Sequence, residues 1–275
     1  MFDRILVPTD GSGPANAALE YAGEIAAREQ ITVHVLYVTD PDEDSAVASE
    51  QLAESREWAG DDTAPIIDDV ETGDPQSAIL DYATDNDVDA IVMGTRGRQG
   101  VGRLLLGSTT ESVVREAPVP VLVVRGAAEV RRRYPLETIL VPTDGSPHAE
   151  AALEQAAVVG RHHDATVHLL SVVDVSPAAL DERDDLRLER LETHAEDVVD
   201  EGVATVEEMG ADATGAVKHG STHRVIRSAA DDVGADLLVM GTHGRSGLDR
   251  LLLGSVTERV LRRAPAPVLT VRQRD

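Results

Sequence analysis

The sequence predicts an α/β protein in which two tandem copies of one doubly wound unit follow each other along the chain. Two observations support this fold class. The phrase "ILVPTDGS" occurs at Ile5–Ser12 and returns at Ile139–Ser146. Within each copy, short runs rich in Val, Leu and Ile lie between patterns typical of helices. These runs do not alternate apolar with polar residues, which is typical of parallel strands covered by helices on both faces.

The repeat covers nearly the whole chain, because three further pairs of segments match: Thr32–Asp40 with Thr166–Asp174, Asp89–Thr95 with Asp236–Thr242, and Ala117–Arg125 with Ala264–Arg272. A repeat of this length is a duplicated domain and not a solenoid unit of about 20–50 residues. We therefore predict a first domain at residues 1–126, a linker at 127–136 and a second domain at 137–275.

Strands and helices follow in the same order in both copies. The strand runs of the first copy are "RILVPT", "TVHVLYV", "DAIVMG" and "PVLVV". The segments between runs of this kind predict helices at Pro14–Gln30, Pro75–Asn86, Ser108–Ala117, Pro147–His163, Ser221–Val233 and Ser255–Arg263. The copies differ after the second strand, where the helix candidate Ser45–Gly60 is matched by a longer, more charged segment, Ala178–Gly210.

Composition narrows the class of protein. The hydrophobic content of 42% supports a real core, and the chain has no run of about 20 apolar residues that a membrane-spanning helix would need. The start, "MFDRILVPTD", lacks the basic and apolar regions of a signal peptide. The absence of cysteine excludes disulfides, thiol catalysis and thiolate metal sites. We expect a cytoplasmic protein.

The chain is strongly acidic, with 50 Asp and Glu against 25 Lys and Arg and a net charge of −25. Two interpretations stay open. One is an acidic interaction surface, and the other is a surface adapted to concentrated salt, where the Debye length falls to about 3 Å at 1 M. We favour the second, a protein of a halophile, because the carboxylates are spread along the whole chain. Either interpretation predicts no general affinity for nucleic acids or membranes.

The loop "PTDGS" closes the first strand of each copy. In an open α/β sheet, ligands bind at the carboxyl ends of the strands, near the point where the strand order reverses. Ser12 and Ser146 can cap the helices that follow. Asp10 and Asp144 are then free to face the crevice, where a carboxylate can accept hydrogen bonds from a ribose or an adenine amine. Ordinary turn chemistry also explains these residues.

The stretch Gly94–Ser108, "GTRGRQGVGRLLLGS", returns at Gly241–Ser255. Its glycines permit close backbone approach, and its last residues open a helix whose N–H groups suit a phosphate. A capping box at Ser108–Glu111 and at Ser255–Glu258 explains the Ser and the Glu. It does not explain the spaced glycines or the accompanying arginines, which are Arg96, Arg98, Arg103, Arg245 and Arg250. The stretch therefore predicts a phosphate cradle in each copy.

Other sites find less support. The chain has no GxxxxGK[ST] loop and no GxSxG elbow, and no Ser–His–Asp set is evident. His219 and His223 flank a loop without a metal-binding spacing. Val38 and Val172 end the second strand of each copy. They are core candidates that can also flank a flat base. We assign no catalytic residue and no metal ligand.

These residues resemble the nucleotide-binding, UspA-like members of the universal stress protein family, in tandem and over nearly the whole chain. The family's ATP-binding pattern is glycine, two residues, glycine, nine residues, glycine, then Ser or Thr. The pattern is complete in both copies, at Gly94, Gly97, Gly107 and Ser108 and at Gly241, Gly244, Gly254 and Ser255. The Asp that closes the first strand and the Val that ends the second also match.

The resemblance implies a Rossmann-like, adenine nucleotide alpha hydrolase-like fold with a five-stranded parallel sheet in each domain. It implies that ATP, AMP or ADP binds, with Mg²⁺ or Mn²⁺ as a candidate companion. The base and ribose would lie between the Asp and the Val, and the phosphates on the glycine loop. The expected binding residues are Pro8, Thr9, Asp10, Val38, Met93, Gly94, Arg96, Gly97, Gly107, Ser108 and Thr109, with Pro142, Thr143, Asp144, Val172, Met240, Gly241, His243, Gly244, Gly254, Ser255 and Val256 in the second copy.

The resemblance also bears on partners and activity. Family members pair through their last strand, which implies a pseudo-dimer of the two halves within the chain, and a homodimer is a further expectation. His243 stands where the first copy has Arg96, so we expect sites of unequal affinity. The favoured function is a stress-response sensor or regulator with an unidentified protein partner. The alternatives are a slow ATPase or self-phosphorylating protein, an interaction module that binds no nucleotide, and a flavin or electron-transfer protein.

Overall fold

The chain folds into two compact units, Phe2–Tyr134 and Pro135–Gln273. A computed structural model describes residues 2–42, 45–60, 64–95, 106–174, 185–244 and 252–273. Each unit is a five-stranded parallel sheet with helices, as the sequence predicts. No described helix is both long enough and apolar enough to cross a bilayer.

The first unit has the strand order β3-β2-β1-β4-β5. Helices α1 and α2 pack together, and so do α3 and α4, which is the arrangement that right-handed crossovers produce on the two faces of a sheet. A 3₁₀ turn at Glu57–Ala59 follows α2. The elements are β1 (Arg4–Thr9), α1 (Gly13–Glu29), β2 (Thr32–Thr39), α2 (Ser45–Arg56), β3 (Ile66–Thr72), α3 (Pro75–Asp85), β4 (Ala90–Gly94), α4 (Ser108–Glu116) and β5 (Val121–Val124).

The second unit repeats this topology as β8-β7-β6-β9-β10. Its α6 is twice as long as α2, in agreement with the longer segment that the sequence shows at this place. The elements are β6 (Thr138–Pro142), α5 (Pro147–His163), β7 (Thr166–Val173), α6 (Asp185–Glu208), β8 (Ala213–His219), α7 (Thr222–Asp232), β9 (Leu237–Gly241), α8 (Ser255–Leu261) and β10 (Val268–Val271).

The order of the strands fixes where a ligand can bind. In each unit the second and third strands lie on one side of the first strand, and the fourth and fifth strands lie on its other side. Leu6 therefore pairs with His34 on one side and Ile91 on the other, and Leu140 pairs with His168 and Leu238. The crevice beyond the carboxyl ends of these central strands is the usual ligand site of such a sheet.

Serine caps begin the first helix of each unit, as predicted. The Ser12 hydroxyl accepts a hydrogen bond from the Ala15 amide at 3.4 Å, and Ser146 does the same for Ala149 at 3.3 Å. A proline in the first helical turn suits both helices.

The predicted capping boxes at Ser108–Glu111 and Ser255–Glu258 are wrong. Gly107 and Gly254 occupy the N-cap positions, so the serines are the first helical residues and do not cap. A glycine has no side chain to offer the first amides of a helix, so these amides face the loop without a cap from the N-cap residue.

The segment predicted as a linker packs on the first unit over most of its length. Val130 and Tyr134 are buried there. The Tyr134 hydroxyl donates a 2.7 Å hydrogen bond to Glu29, and Arg132 pairs with Glu20 at 3.2 Å. Burial and the neighbouring Glu29 carboxylate raise the pKa of Tyr134 far above its ordinary value. The boundary between the compact units falls at Tyr134 and Pro135.

Candidate functional site

A crevice of about 520 Å³ lies at the carboxyl end of the sheet in the second unit. It is lined by the loop after β6, the end of β7, the loop from β9 to α8 and the first two turns of α7. All the binding residues that the family resemblance implies for this half of the chain are among its lining: Pro142, Thr143, Asp144, Val172, Met240, Gly241, His243, Gly244, Gly254, Ser255 and Val256.

Backbone hydrogen bonds hold the loop that carries Asp144. The Oδ1 atom of Asp144 accepts from the Ser146 amide at 3.0 Å, and the Thr143 hydroxyl accepts from the Gly145 amide at 3.3 Å. Gly145 has a φ of 71°, a left-handed conformation that suits glycine. The turn therefore fixes one oxygen of the half-buried Asp144 at the floor of the crevice.

Two further bonds close the described ends of the glycine stretch. The Gly254 amide donates to the Thr242 carbonyl at 3.0 Å, and the buried Thr257 hydroxyl donates to the Gly241 carbonyl at 2.9 Å. These bonds tie the start of α8 to the end of β9. The backbone from Gly254 to Val256 consequently borders the crevice in a fixed position.

The glycines of the stretch have different reasons to be glycine. A Cβ on Gly241 would stand 2.8 Å from the carbonyl oxygen of His148, and one on Gly94 would stand 2.5 Å from that of Pro14. Here the end of a strand approaches the first turn of a helix too closely for any side chain. A Cβ on Gly244 would instead stand 2.7 Å from the Oδ2 atom of Asp144, so this glycine leaves room for the carboxylate.

His243 is held by both ring nitrogens. Nε2 lies 2.7 Å from the carbonyl oxygen of Leu252, which only accepts, so Nε2 is the donor. Nδ1 lies 3.1 Å from the Thr242 hydroxyl, and in the neutral ring it accepts from that hydroxyl. The ring centroid lies 5.1 Å from that of His148. The imidazole thus connects Thr242 to Leu252 within the glycine stretch. The first copy has an arginine at this position.

Sequence reasoning missed a set of residues that form the apolar side of the crevice. Leu170, Ile226 and Met240 are buried and stand beside the half-buried Val172. Of these, only Val172 and Met240 belong to predicted motifs. The unpredicted lining residues are Ala149, Leu170, Thr222, Ile226, Leu252, Leu253 and Thr257. Comparison of the two copies would have pointed to Thr257, because the first copy has Thr110 at the equivalent position.

The first unit repeats the framework. Asp10 Oδ1 accepts from the Ser12 amide at 3.1 Å, Thr110 donates to the Gly94 carbonyl at 2.9 Å, and the Gly107 amide donates to the Thr95 carbonyl at 2.8 Å. Pro8, Thr9, Val38 and Met93 end the neighbouring strands, and Ser108 and Thr109 begin α4. Outside the described residues lie Arg96, Gly97, Arg98 and Arg103, and in the second copy Arg245 and Arg250.

The crevice combines three kinds of surface. It has an apolar wall at Val172, one carboxylate at Asp144, and backbone at Gly254–Val256. Its volume lies within the range of about 300–1,000 Å³ that is usual for small-molecule sites. An apolar wall suits a flat ring, a carboxylate suits hydroxyl or amine donors, and uncapped amides suit an anion.

Comparison with known proteins agrees with the duplication. The model of the universal stress protein family matches residues 1–125 and again 135–272. A universal stress protein of Methanocaldococcus jannaschii is 36% identical over 49% of this chain and 81% of its own length. One of Mycobacterium bovis is 27% identical over 98% of this chain and 97% of its own. The crystal structure of one from Archaeoglobus fulgidus covers 99% of both chains with a TM-score of 0.70 and 25% identity.

Proposed function

Because the chain belongs to the universal stress protein family, with two family domains in tandem, we propose that it binds adenine nucleotides and acts as a stress-response sensor or regulator. The observation that carries this proposal is the crevice of the second unit, where the residues predicted from the spaced glycine pattern and from the strand ends line a single cavity.

Each part of a nucleotide has a counterpart in the crevice. The base lies against Val172 and Leu170, which offer apolar surface at the end of β7. Asp144 accepts hydrogen bonds from the ribose or from the adenine amine. The phosphates lie on the backbone of Gly254, Ser255 and Val256, where no side chain caps the helix. Mg²⁺ or Mn²⁺ accompanies the phosphates of ATP when that is the ligand.

The two units bind with different affinity. In the second copy His243 occupies the phosphate end, held between Thr242 and Leu252. The first copy has Arg96 at this position, and an arginine is always charged. The first site is therefore the tighter one for a triphosphate, whereas the two sites differ less for adenosine. No observation favours hydrolysis or self-phosphorylation over binding.

The proposal is tested by single-site variants. Asp10→Asn and Asp144→Asn keep an oxygen that accepts from the Ser12 or Ser146 amide, so the turn is preserved. Each variant removes the carboxylate from one unit. Thermal-shift titrations with ATP, AMP and cyclic AMP should show weakened binding in each variant and loss in the double variant. A double variant that binds as the wild type does would overturn the proposal.

A further inference from the structure

The surface formed by α7, α8 and the turn that follows α8 carries a cluster of basic side chains. Four arginines are exposed there: Arg224, Arg227, Arg259 and Arg263. The two helices pack against each other, so the cluster forms one surface, which we call the arginine face. The chain has 25 Lys and Arg against 50 Asp and Glu, so such a local excess of positive charge runs against its composition.

His223, at the start of α7, lies close enough to the four arginines for their charges to act on its imidazole. Its pKa is lowered by burial and then by Arg259, Arg224, Arg263 and Arg227. Guanidinium groups from both helices therefore act on one imidazole.

Two of the nearby carboxylates already have partners. Glu258 on α8 pairs with Arg262, which caps the end of that helix, and Asp232 pairs with Lys218 at 3.0 Å. Within the part of the chain that the structure describes, no ion pair joins any of the four arginines to an acidic residue. Their donors are consequently available to another molecule.

The first unit shows that the fold does not require these charges. Gly73 and Gly220 precede α3 and α7 and have nearly equal φ values of 134° and 136°. They are therefore equivalent positions from which the two copies can be aligned. At the positions of the arginines, the first copy has Ser77, Leu80, Ser112 and Glu116. Gln76 replaces His223 and donates a 2.8 Å hydrogen bond to Glu116. The same pair of helices is held there by neutral and acidic side chains.

We propose that the arginine face is a docking surface for a short acidic segment of a partner protein. The net charge of −25 repels such a segment from the rest of the surface, so the arginine face also sets the orientation of docking. Guanidinium groups bind carboxylates in bidentate contacts of about 2.7–2.9 Å, a separation that salt at 1 M, with a Debye length of about 3 Å, screens only in part.

The size of the face argues for a protein segment over a nucleic acid. Helix α7 has 11 residues, and at about 1.5 Å per residue it spans about 16 Å. Duplex DNA carries a charge about every 1.7 Å and extends well past this length, onto the acidic remainder of the chain. An acidic stretch of a few residues matches the face without that repulsion.

The docking surface begins at the crevice. Thr222 lines the crevice and precedes His223, and Ser255 lines it one helical turn before Arg259. A docked segment therefore lies beside the proposed nucleotide. The docking itself depends only on the arginines and does not require that the crevice bind a nucleotide.

The test is a fluorescence-anisotropy titration with a labelled octapeptide of alternating Asp and Glu, in 0.2 M and 1 M KCl. The variant carries Arg224→Gln, Arg259→Gln and Arg263→Gln. The matched control carries Arg4→Gln, Arg28→Gln and Arg56→Gln, which lie in the first unit and change the net charge equally. We expect the variant to lose about tenfold in affinity and the control to bind as the wild type does.

Three results would overturn the proposal. One is equal binding of the peptide by the variant and the wild type. Another is tighter binding of an eight-nucleotide oligothymidylate than of the peptide, which would assign the face to nucleic acid. The third is self-association of the wild type in sedimentation experiments that the variant abolishes, which would assign the face to a second copy of the chain.

Discussion

The hydroxyl of Thr257 donates a 2.9 Å hydrogen bond to the carbonyl oxygen of Gly241. The bond joins the first turn of α8 to the last residue of β9. Thr110 and Gly94 make the same bond at the same distance in the first unit. Both threonines are buried, so solvent cannot replace the contact. Contacts within the protein itself therefore fix the ends of the glycine stretch.

Thr257→Val tests the role of this bond. Valine keeps the shape of threonine but leaves the Gly241 carbonyl without this donor, which we expect to cost roughly 1–3 kcal/mol in the free energy of unfolding. Nucleotide affinity in the second unit should fall as well, because α8 and β9 both border the crevice. Urea unfolding and calorimetry check the two effects. Thr110→Val, the matched change, should leave the second site intact.

Gly244→Ala tests the space kept for Asp144. The new Cβ would stand 2.7 Å from the Oδ2 atom of Asp144, so the carboxylate must move. We expect about a tenfold loss in affinity for adenosine and ATP alike, on the scale of one hydrogen bond to a charged group. Gly13→Ala is the control, because its Cβ would meet nothing within 4 Å. Unchanged binding in Gly244→Ala would show that Asp144 does not contact the ligand.

The sequence predicted the central part of the fold because it is the buried part. Strands β1 and β4 are apolar runs, and the glycine stretch connects β4 to a helix whose start Ser108 marks. The sequence did not mark β3, "IIDDVET", or β8, "ATGAVKH". Each is largely exposed, so it has no apolar run.

The polar half of the candidate site was predictable, whereas its apolar half was not. Asp144 and Gly254 stand in loops where their residue types are informative. Leu170 and Ile226 belong to a strand and a helix in which a buried aliphatic residue is ordinary, and only the packing of the elements brings them into the crevice. The caps show another limit, because Ser108 matches a capping box while the glycine before it is the N-cap.

The pH dependence of stability tests the burial of His34. Burial, with a contribution from Arg4 that outweighs Asp69, holds its pKa below the ordinary value of 6.5. Near pH 6.5, therefore, His34 binds a proton more readily in the unfolded chain than in the folded chain. The contribution of neutral, buried His34 to the free energy of unfolding is complete above pH 6.5. It is lost as the pH falls toward the pKa that His34 has in the folded protein. We expect the urea midpoint to fall more steeply between about pH 7.5 and 5.5 in the wild type than in His34→Phe. Parallel slopes would contradict the burial.

The dependence of stability on salt tests the interpretation of the acidic surface. The net charge of −25 means that the acidic residues repel one another. This repulsion is stronger at 0.1 M salt, where the Debye length is about 10 Å, than at 1 M, where it is about 3 Å. The urea midpoint should therefore rise as KCl is increased over this range. Sucrose at matched osmolality is the control for effects other than screening. A midpoint that does not change would refute adaptation to concentrated salt.

The most direct test of the central claim is calorimetric titration of the wild-type protein with ATP and with AMP in high salt, after an aliquot has been denatured and its extract examined for carried nucleotide. The duplicated site predicts binding of about two nucleotides per chain, counting any that is carried, with the two sites unequal for ATP. The absence of both binding and carried nucleotide would contradict the account and leave the crevice without the ligand proposed for it.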